Sequence, residues 1–164
     1  MSDTAMIAFL PANGSWAKQD FPHLTLVYAG PITGRDRSEF NIMAKDGISA
    51  ARVTASFSLN VVGVETLGDA GEEVDALMMY PTPQLLVARQ MTEHWDKSGF
   101  NTFLPHVSIG PAGSAYAQQV PSNTDQLSYT NRRQDILPSN IYFDRLAVCW
   151  GNDRLIFNLS SYDY

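Results

Sequence analysis

Two stretches decide the fold and the chemistry: Phe21-Pro22-His23-Leu24-Thr25-Leu26-Val27-Tyr28 and, about half a chain later, Leu104-Pro105-His106-Val107-Ser108-Ile109-Gly110. Side chains alternate across a strand, so His23 and Thr25 share one face, roughly 6–7 Å apart along it, while Leu24 and Leu26 point the other way into a core. His106 and Ser108 share a face in the same manner, with Val107 and Ile109 behind them. A lone His-x-Thr is ordinary strand chemistry. Two such units in matched contexts, using two of the three histidines in the chain, are not. If the two strands are neighbours, two imidazoles and two hydroxyls converge.

Outward from these stretches the chain alternates between strand and helix patterns. Residues 6–10 are an apolar run closed by Pro11, a buried strand, and residues 12–20 are a polar loop. Over residues 34–52, Phe40, Ala44, Ile48 and Ala51 recur at helical spacing, with Gly47 a weak point in the middle. Residues 56–64 alternate, with Phe57, Leu59 and Val61 on one face and Ser58 and Asn60 on the other, which predicts a half-buried strand. Gly68-Asp69-Ala70-Gly71 is a turn, and residues 74–80 are an apolar strand. Thr82 and Pro83 suit the N-cap and first position of a helix that runs to about residue 98, with Leu85, Ala88, Met91 and Trp95 on one stripe and Gly99 as its stop. Residues 103–109 are a strand. Residues 110–138 form a long polar loop, with a short helix possible at 115–120. Residues 140–150 and 154–159 flank Gly151-Asn152-Asp153 as a hairpin. No linker divides the pattern, and 164 residues suit one domain, 1–164, with a real core. A weak internal symmetry runs through it, each half holding one His-apolar-hydroxyl-apolar strand.

Composition narrows the function. An apolar fraction of 45% excludes a disordered chain. No apolar run is long enough to span a membrane, and the N-terminus has no secretory pattern. The single cysteine, Cys149, forms no intramolecular disulfide, so the sequons at Asn13 and Asn158 read as chance and a cytoplasmic location is expected. The net charge of −6 argues against long-duplex nucleic acid, whose affinity comes from cationic contacts with phosphates. It leaves room for a small phosphorylated ligand in a locally basic pocket. The acidic residues Asp69, Glu72, Glu73 and Asp75 crowd one short loop.

The paired histidines suit a phosphodiester. Its nucleophile must lose a proton, its leaving oxygen must gain one, and the phosphorane between them carries extra negative charge. Imidazole titrates near neutrality, so one ring serves as base and the other as acid. Hydroxyls two residues along donate to the non-bridging oxygens. No HExxH, CxxC or carboxylate cluster accompanies the histidines, and there is no P-loop and no GxGxxG, so neither a metal nor a cofactor is expected. Which imidazole is the base is open at this stage.

In these motifs the sequence resembles the 2H phosphoesterase superfamily, whose signature is a pair of His-x-Thr/Ser units. The resemblance covers the opening strand Met6-Ile7-Ala8-Phe9-Leu10-Pro11, both motif stretches, the helix and the closing hairpin. It implies an α+β, LigT-like fold: two lobes of antiparallel sheet lining a central cleft, helices outside, and pseudo-two-fold symmetry. It implies catalytic roles for His23, Thr25, His106 and Ser108. The compact layout is most similar to bacterial and phage members, and a phage origin would place the protein in the host bacterial cytoplasm.

Two substrates fit that resemblance: a 2′,3′-cyclic phosphate end of RNA, or a cyclic di- or oligonucleotide signal such as phage enzymes cleave to disarm antiphage defence. Further substrate contacts are expected among Phe9, Tyr28, Phe103, Tyr116 and Trp150, as stacking or cleft-lining rings, and Arg132 and Arg133, as a phosphate clamp. Lys18 precedes the first motif. His94, without a hydroxyl at the second position after it, reads as structural. The rival function is a non-catalytic module that sequesters a nucleotide in the same cleft. Oligomeric state is not encoded in these patterns.

Overall fold

Where the two motif stretches meet determines the architecture. In the computed structural model, which describes residues 3–17, 21–68, 70–99, 102–111 and 137–160, seven strands and two helices follow in the order β1 (Thr4–Pro11), β2 (Leu24–Pro31), α1 (Ser38–Val53), β3 (Phe57–Leu67), β4 (Val74–Met79), α2 (Pro83–Thr92), β5 (His106–Pro111), β6 (Asn140–Trp150) and β7 (Asp153–Asn158). The sheet order is β1-β2-β5-β4-β3-β6-β7, and β1 also pairs with β6, so six strands close on themselves. All these ladders are antiparallel. The result is the α+β architecture that the motif resemblance implies, a mostly antiparallel sheet with two helices.

Two blocks make up the closed sheet. One is β2-β1-β6-β7 and the other is β5-β4-β3. They join at a short β3–β6 ladder, Phe57–Asn60 against Asn140–Phe143, and at a seam of one residue pair, Leu24 with Val107. Leu24 and Val107 are both fully buried. The seam that aligns the two motifs is therefore held by apolar burial, at about 1.5–3 kcal/mol per side chain, rather than by a long run of hydrogen bonds.

Both helices cover the core face. On α1, Phe40, Met43, Ala44, Gly47, Ala50 and Ala51 are buried. Gly47, the weak point of the helical pattern, is there because the helix lies against β6: a Cβ at this position would overlap the Val148 Cγ2 methyl and crowd Leu146. The β6–β7 hairpin turns on Gly151, whose φ of 63° only glycine adopts without cost.

The second helix begins as the sequence predicts, with the Leu85 amide donating to Thr82 Oγ1 (3.3 Å) and Pro83 in the first position. It ends earlier, at Thr92. The Thr92 hydroxyl donates back to the Ala88 carbonyl (2.9 Å), a 3-10 turn follows at Glu93–Trp95, and the chain is then captured by β2. The Lys97 amide donates to the Tyr28 carbonyl, 2.7 Å, and the Tyr28 amide to Asp96 Oδ1, 3.0 Å. His94 is structural, as expected: its Nε2 and Trp95 Nε1 both reach Asp46 Oδ2 on α1, at 3.0 and 2.7 Å. Strand β5 begins at His106 rather than residue 103, since Pro105 has no N–H for a ladder and only its carbonyl accepts, from Met79.

Substituting Gly47→Ala tests the helix–sheet contact. Helix propensity favours alanine by up to about 1 kcal/mol, but overpacking against a fully buried, β-branched Val148 costs about 1–3 kcal/mol. Net destabilisation is expected in urea or thermal melts, and adding Val148→Ala, which opens space for the methyl, should make the Gly47→Ala step less costly. A stabilised single variant would show that the helix is free to lift away.

Candidate active site

Strand register brings the four motif side chains to one face. Leu24 and Val107 are partners in an antiparallel pair, so a local two-fold passes between them and interchanges the motifs. With both partners turned into the core, the flanking His23, Thr25, His106 and Ser108 face the opposite side. All four are half-buried. On the far side of β5, His106 and Ser108 are flanked by Met78 and Ala76 of β4. Thr25 sits against β1, its hydroxyl 4.0 Å from Met6 Sδ.

The two imidazoles are held alike. His23 Nδ1 donates to the Phe21 carbonyl (2.7 Å), and His106 Nδ1 donates to the Leu104 carbonyl (2.8 Å), in both cases two residues upstream across a proline. A carbonyl oxygen only accepts, so Nδ1 carries the proton in each ring. Nε2 is then a lone pair in the neutral ring and an N–H donor in the charged one, the two states that a base and an acid require.

Their surroundings differ. The pKa of His23 lies below the ordinary histidine value. Burial is the main cause, opposed by the Phe21 carbonyl and reinforced by the charges of His106 and Arg154. His23 is thus held neutral, and within electrostatic reach of His106.

A basin opens beside His23. It has a volume of about 570 Å³, and its walls include Leu10, Pro11, Phe21, Arg145, Arg154 and Ile156. The Phe21 ring lies 5.4 Å from the His23 ring, and the Arg154 guanidinium carbon lies 3.7 Å from the centre of the Phe21 ring. Arg145 donates to Asp144 (3.0 Å) and to the Pro11 carbonyl (2.8 Å). Cys149 is on this side too, packed with Leu10 and Ala147. Burial pushes its thiol up to about 11, against the opposing charge of Arg154, so it is no nucleophile at neutral pH. Among the described residues, no cluster of three or more His, Cys, Asp or Glu side chains could hold a metal ion.

The other expected contacts fare unevenly. Phe9 does not line a cleft: it is fully buried and meets Phe57 edge-on at 5.0 Å. The reason is register, because Phe9 pairs with core-facing Leu24, and its neighbour Ala8 pairs with Thr25. Trp150 is likewise a core residue, 5% exposed, stacked on Phe40 of α1 at 6.1 Å, since it shares the helix-facing parity of Leu146 and Val148. Phe103 packs on the core with the Arg89 guanidinium 5.0 Å from its ring centre. Tyr28 is half-buried and pairs with Met6, which register puts on the motif face. Tyr116, Arg132, Arg133 and Lys18, and the possible helix at 115–120, fall outside the described residues. Phe21, Arg145 and Arg154 carry no mark in the sequence that singles them out. Only the alternation along β6 and β7, once their pairing is known, points to the two arginines.

No protein-family model matches the sequence, and no curated protein does. Solved structures do match the fold. Usb1 from Kluyveromyces marxianus superposes with a TM-score of 0.57 at 10% identity, covering 96% of this chain and 99% of that one. The same protein with uridine monophosphate gives 0.51 at 14% identity, over 92% and 81% of the two chains. TT0787 from Thermus thermophilus gives 0.51 at 14% identity, over 96% and 95%. These neighbours are members of the 2H phosphoesterase superfamily. At such identities the likeness establishes a shared fold.

The depressed pKa of His23 makes folding pH-dependent in a stated direction. The folded chain resists protonating this ring, whereas the unfolded chain takes up the proton at the ordinary value near 6.5. The contribution to stability is therefore present above that value and lost as pH falls below it. Melting temperatures of the wild type and His23→Asn, measured from pH 7.5 to 5, should converge as the pH drops. Parallel curves would contradict a neutral, desolvated His23.

Proposed function

We propose that the chain is a metal-independent phosphodiesterase acting on a nucleotide-type phosphodiester: a cyclic nucleotide, a cyclic oligonucleotide signal or a 2′,3′-cyclic phosphate RNA end. The observation that carries this reading is the matched pair of imidazoles, each with Nδ1 tied to the carbonyl two residues before it and each accompanied by a hydroxyl on the same face. The fold supports it, since a protein of this architecture has been solved with uridine monophosphate.

The asymmetry of the pair supports one division of roles. His23, held neutral by burial, accepts the proton of the attacking hydroxyl or water at Nε2. His106, in its protonated form, gives its Nε2 proton to the leaving oxygen. The hydroxyls of Thr25 and Ser108 donate to the non-bridging oxygens, where charge accumulates in the phosphorane. The carbonyls of Phe21 and Leu104 keep both rings from turning and favour the imidazolium in each as it forms. At the end of the cycle the rings have exchanged protonation states, and solvent restores them.

The test is turnover of a 2′,3′-cyclic nucleotide and a panel of cyclic dinucleotides in EDTA, with His23→Ala and His106→Ala alongside. Activity should survive EDTA and fall by about 10²–10⁴-fold in each variant. The acidic limb of the kcat/KM profile should lie below the ordinary histidine value near 6.5, reporting the base in the free enzyme. Stoichiometric nucleotide binding without product would instead identify a sequestering module, and a requirement for added metal would contradict the mechanism.

A further inference from the structure

The basin next to His23 holds more positive charge than a single scissile phosphate uses. Arg154 is exposed at the start of β7, and none of the described carboxylates forms a salt bridge with it. Its partner is the Phe21 ring, on which the guanidinium lies at 3.7 Å. An arginine stacked on a ring keeps its in-plane N–H donors free at the edge, a fork suited to phosphate oxygens. Arg145, from the neighbouring strand, lines the same basin and spends only part of its donor set on Asp144 and Pro11. The chain as a whole carries −6, and although Arg145 is ion-paired to Asp144 at 3.0 Å, Arg154 adds a positive charge that no described carboxylate matches.

Position matters as much as charge. The Phe21 ring is a shared neighbour of both groups, 5.4 Å from the His23 ring and 3.7 Å from the Arg154 guanidinium. The Phe21 carbonyl also orients that imidazole. The rest of the wall is mixed: Leu10, Pro11, Pro22 and Ile156 give it apolar surface, and Gly14 and Ser15 line it with polar groups. A volume of about 570 Å³ falls within the range of about 300–1,000 Å³ typical of small-molecule pockets. It offers apolar surface for a nucleoside and a cationic edge for an anion.

We infer, on the reading that the histidine pair attacks a phosphodiester, that this basin receives the adjoining nucleotide unit, with Arg154 and Arg145 on a second phosphate. The substrate class is then a nucleotide with at least one phosphate besides the one under attack: a dinucleotide or longer, linear or cyclic, rather than a cyclic mononucleotide. This occupant is favoured because the free donors of Arg154, the apolar part of the wall and the adjacency to His23 meet in one concavity.

Binding, read without turnover, tests the assignment. Adenosine 3′-monophosphate and adenosine 3′,5′-bisphosphate are titrated calorimetrically into the full chain and into Arg154→Gln at low salt. The wild type should bind the bisphosphate about tenfold more tightly or better, and the ratio should fall toward one in the variant. The preference should also shrink as salt is raised. Equal affinities in the wild type, or a ratio that Arg154→Gln leaves intact, would overturn the second-phosphate site. Because Arg154 is exposed, the variant is expected to fold, and its melting curve checks this. Failure here with intact two-histidine turnover removes only the subsite. A preserved preference without turnover supports the subsite and removes the catalytic reading.

Discussion

The pairing of Leu24 with Val107 is the constraint on which the site depends. Each is the middle residue of a His-x-hydroxyl unit, and each is fully buried. Burying these two side chains against one core forces the flanking histidines and hydroxyls to the other face of the same seam. The antiparallel direction of the pair supplies the two-fold relation between the units. With a one-residue slip in this register, Leu24 and Val107 would no longer be partners across the seam, and the motifs would lose their two-fold arrangement. The prolines before both histidines belong to the same device. Pro22 and Pro105 donate no backbone hydrogen bond, and the carbonyls just before them hold the two Nδ1 protons.

The symmetry is local and incomplete, and the departures from it give the two rings different surroundings. Two identical imidazoles side by side would compete for the same proton. Here one ring has the basin, Phe21 and Arg154 beside it, and the other is flanked by Met78 on β4. Burial and nearby positive charge hold His23 neutral, the state that the proposed base requires. The same Arg154 that raises the cost of charging His23 is the residue that the proposed subsite places on a second phosphate. In that proposal one side chain bears on both the protonation state and the occupancy of the site.

Much of this was legible in the residues. Alternation around His23 and His106 predicts which faces they occupy, and Thr82-Pro83 and the Gly151 turn behave as local chemistry dictates. What the sequence leaves open is what depends on partners. On the all-apolar β1 run, nothing distinguishes the faces of Ala8 and Phe9 until Thr25 and Leu24 are seen opposite them. Trp150 has an aromatic's dual character, and only packing against Phe40 decides it. Gly47 looks like a defect in a helix until the closeness of Val148 explains it. Arg145 and Arg154 are ordinary hairpin residues until the fold sets them around one basin with Phe21. The early end of α2 is set by Tyr28, far away in sequence.

The central claim is that both imidazoles grip one phosphorus through Nε2. It is tested most directly by a crystal structure with a nucleoside vanadate, a trigonal-bipyramidal mimic of the phosphorane. The account predicts His23 Nε2 and His106 Nε2 each within hydrogen-bond distance of opposite apical oxygens, with the Thr25 and Ser108 hydroxyls on equatorial oxygens. A vanadate held by one histidine alone, or imidazoles whose Nδ1 atoms leave the Phe21 and Leu104 carbonyls to reach it, would contradict the account.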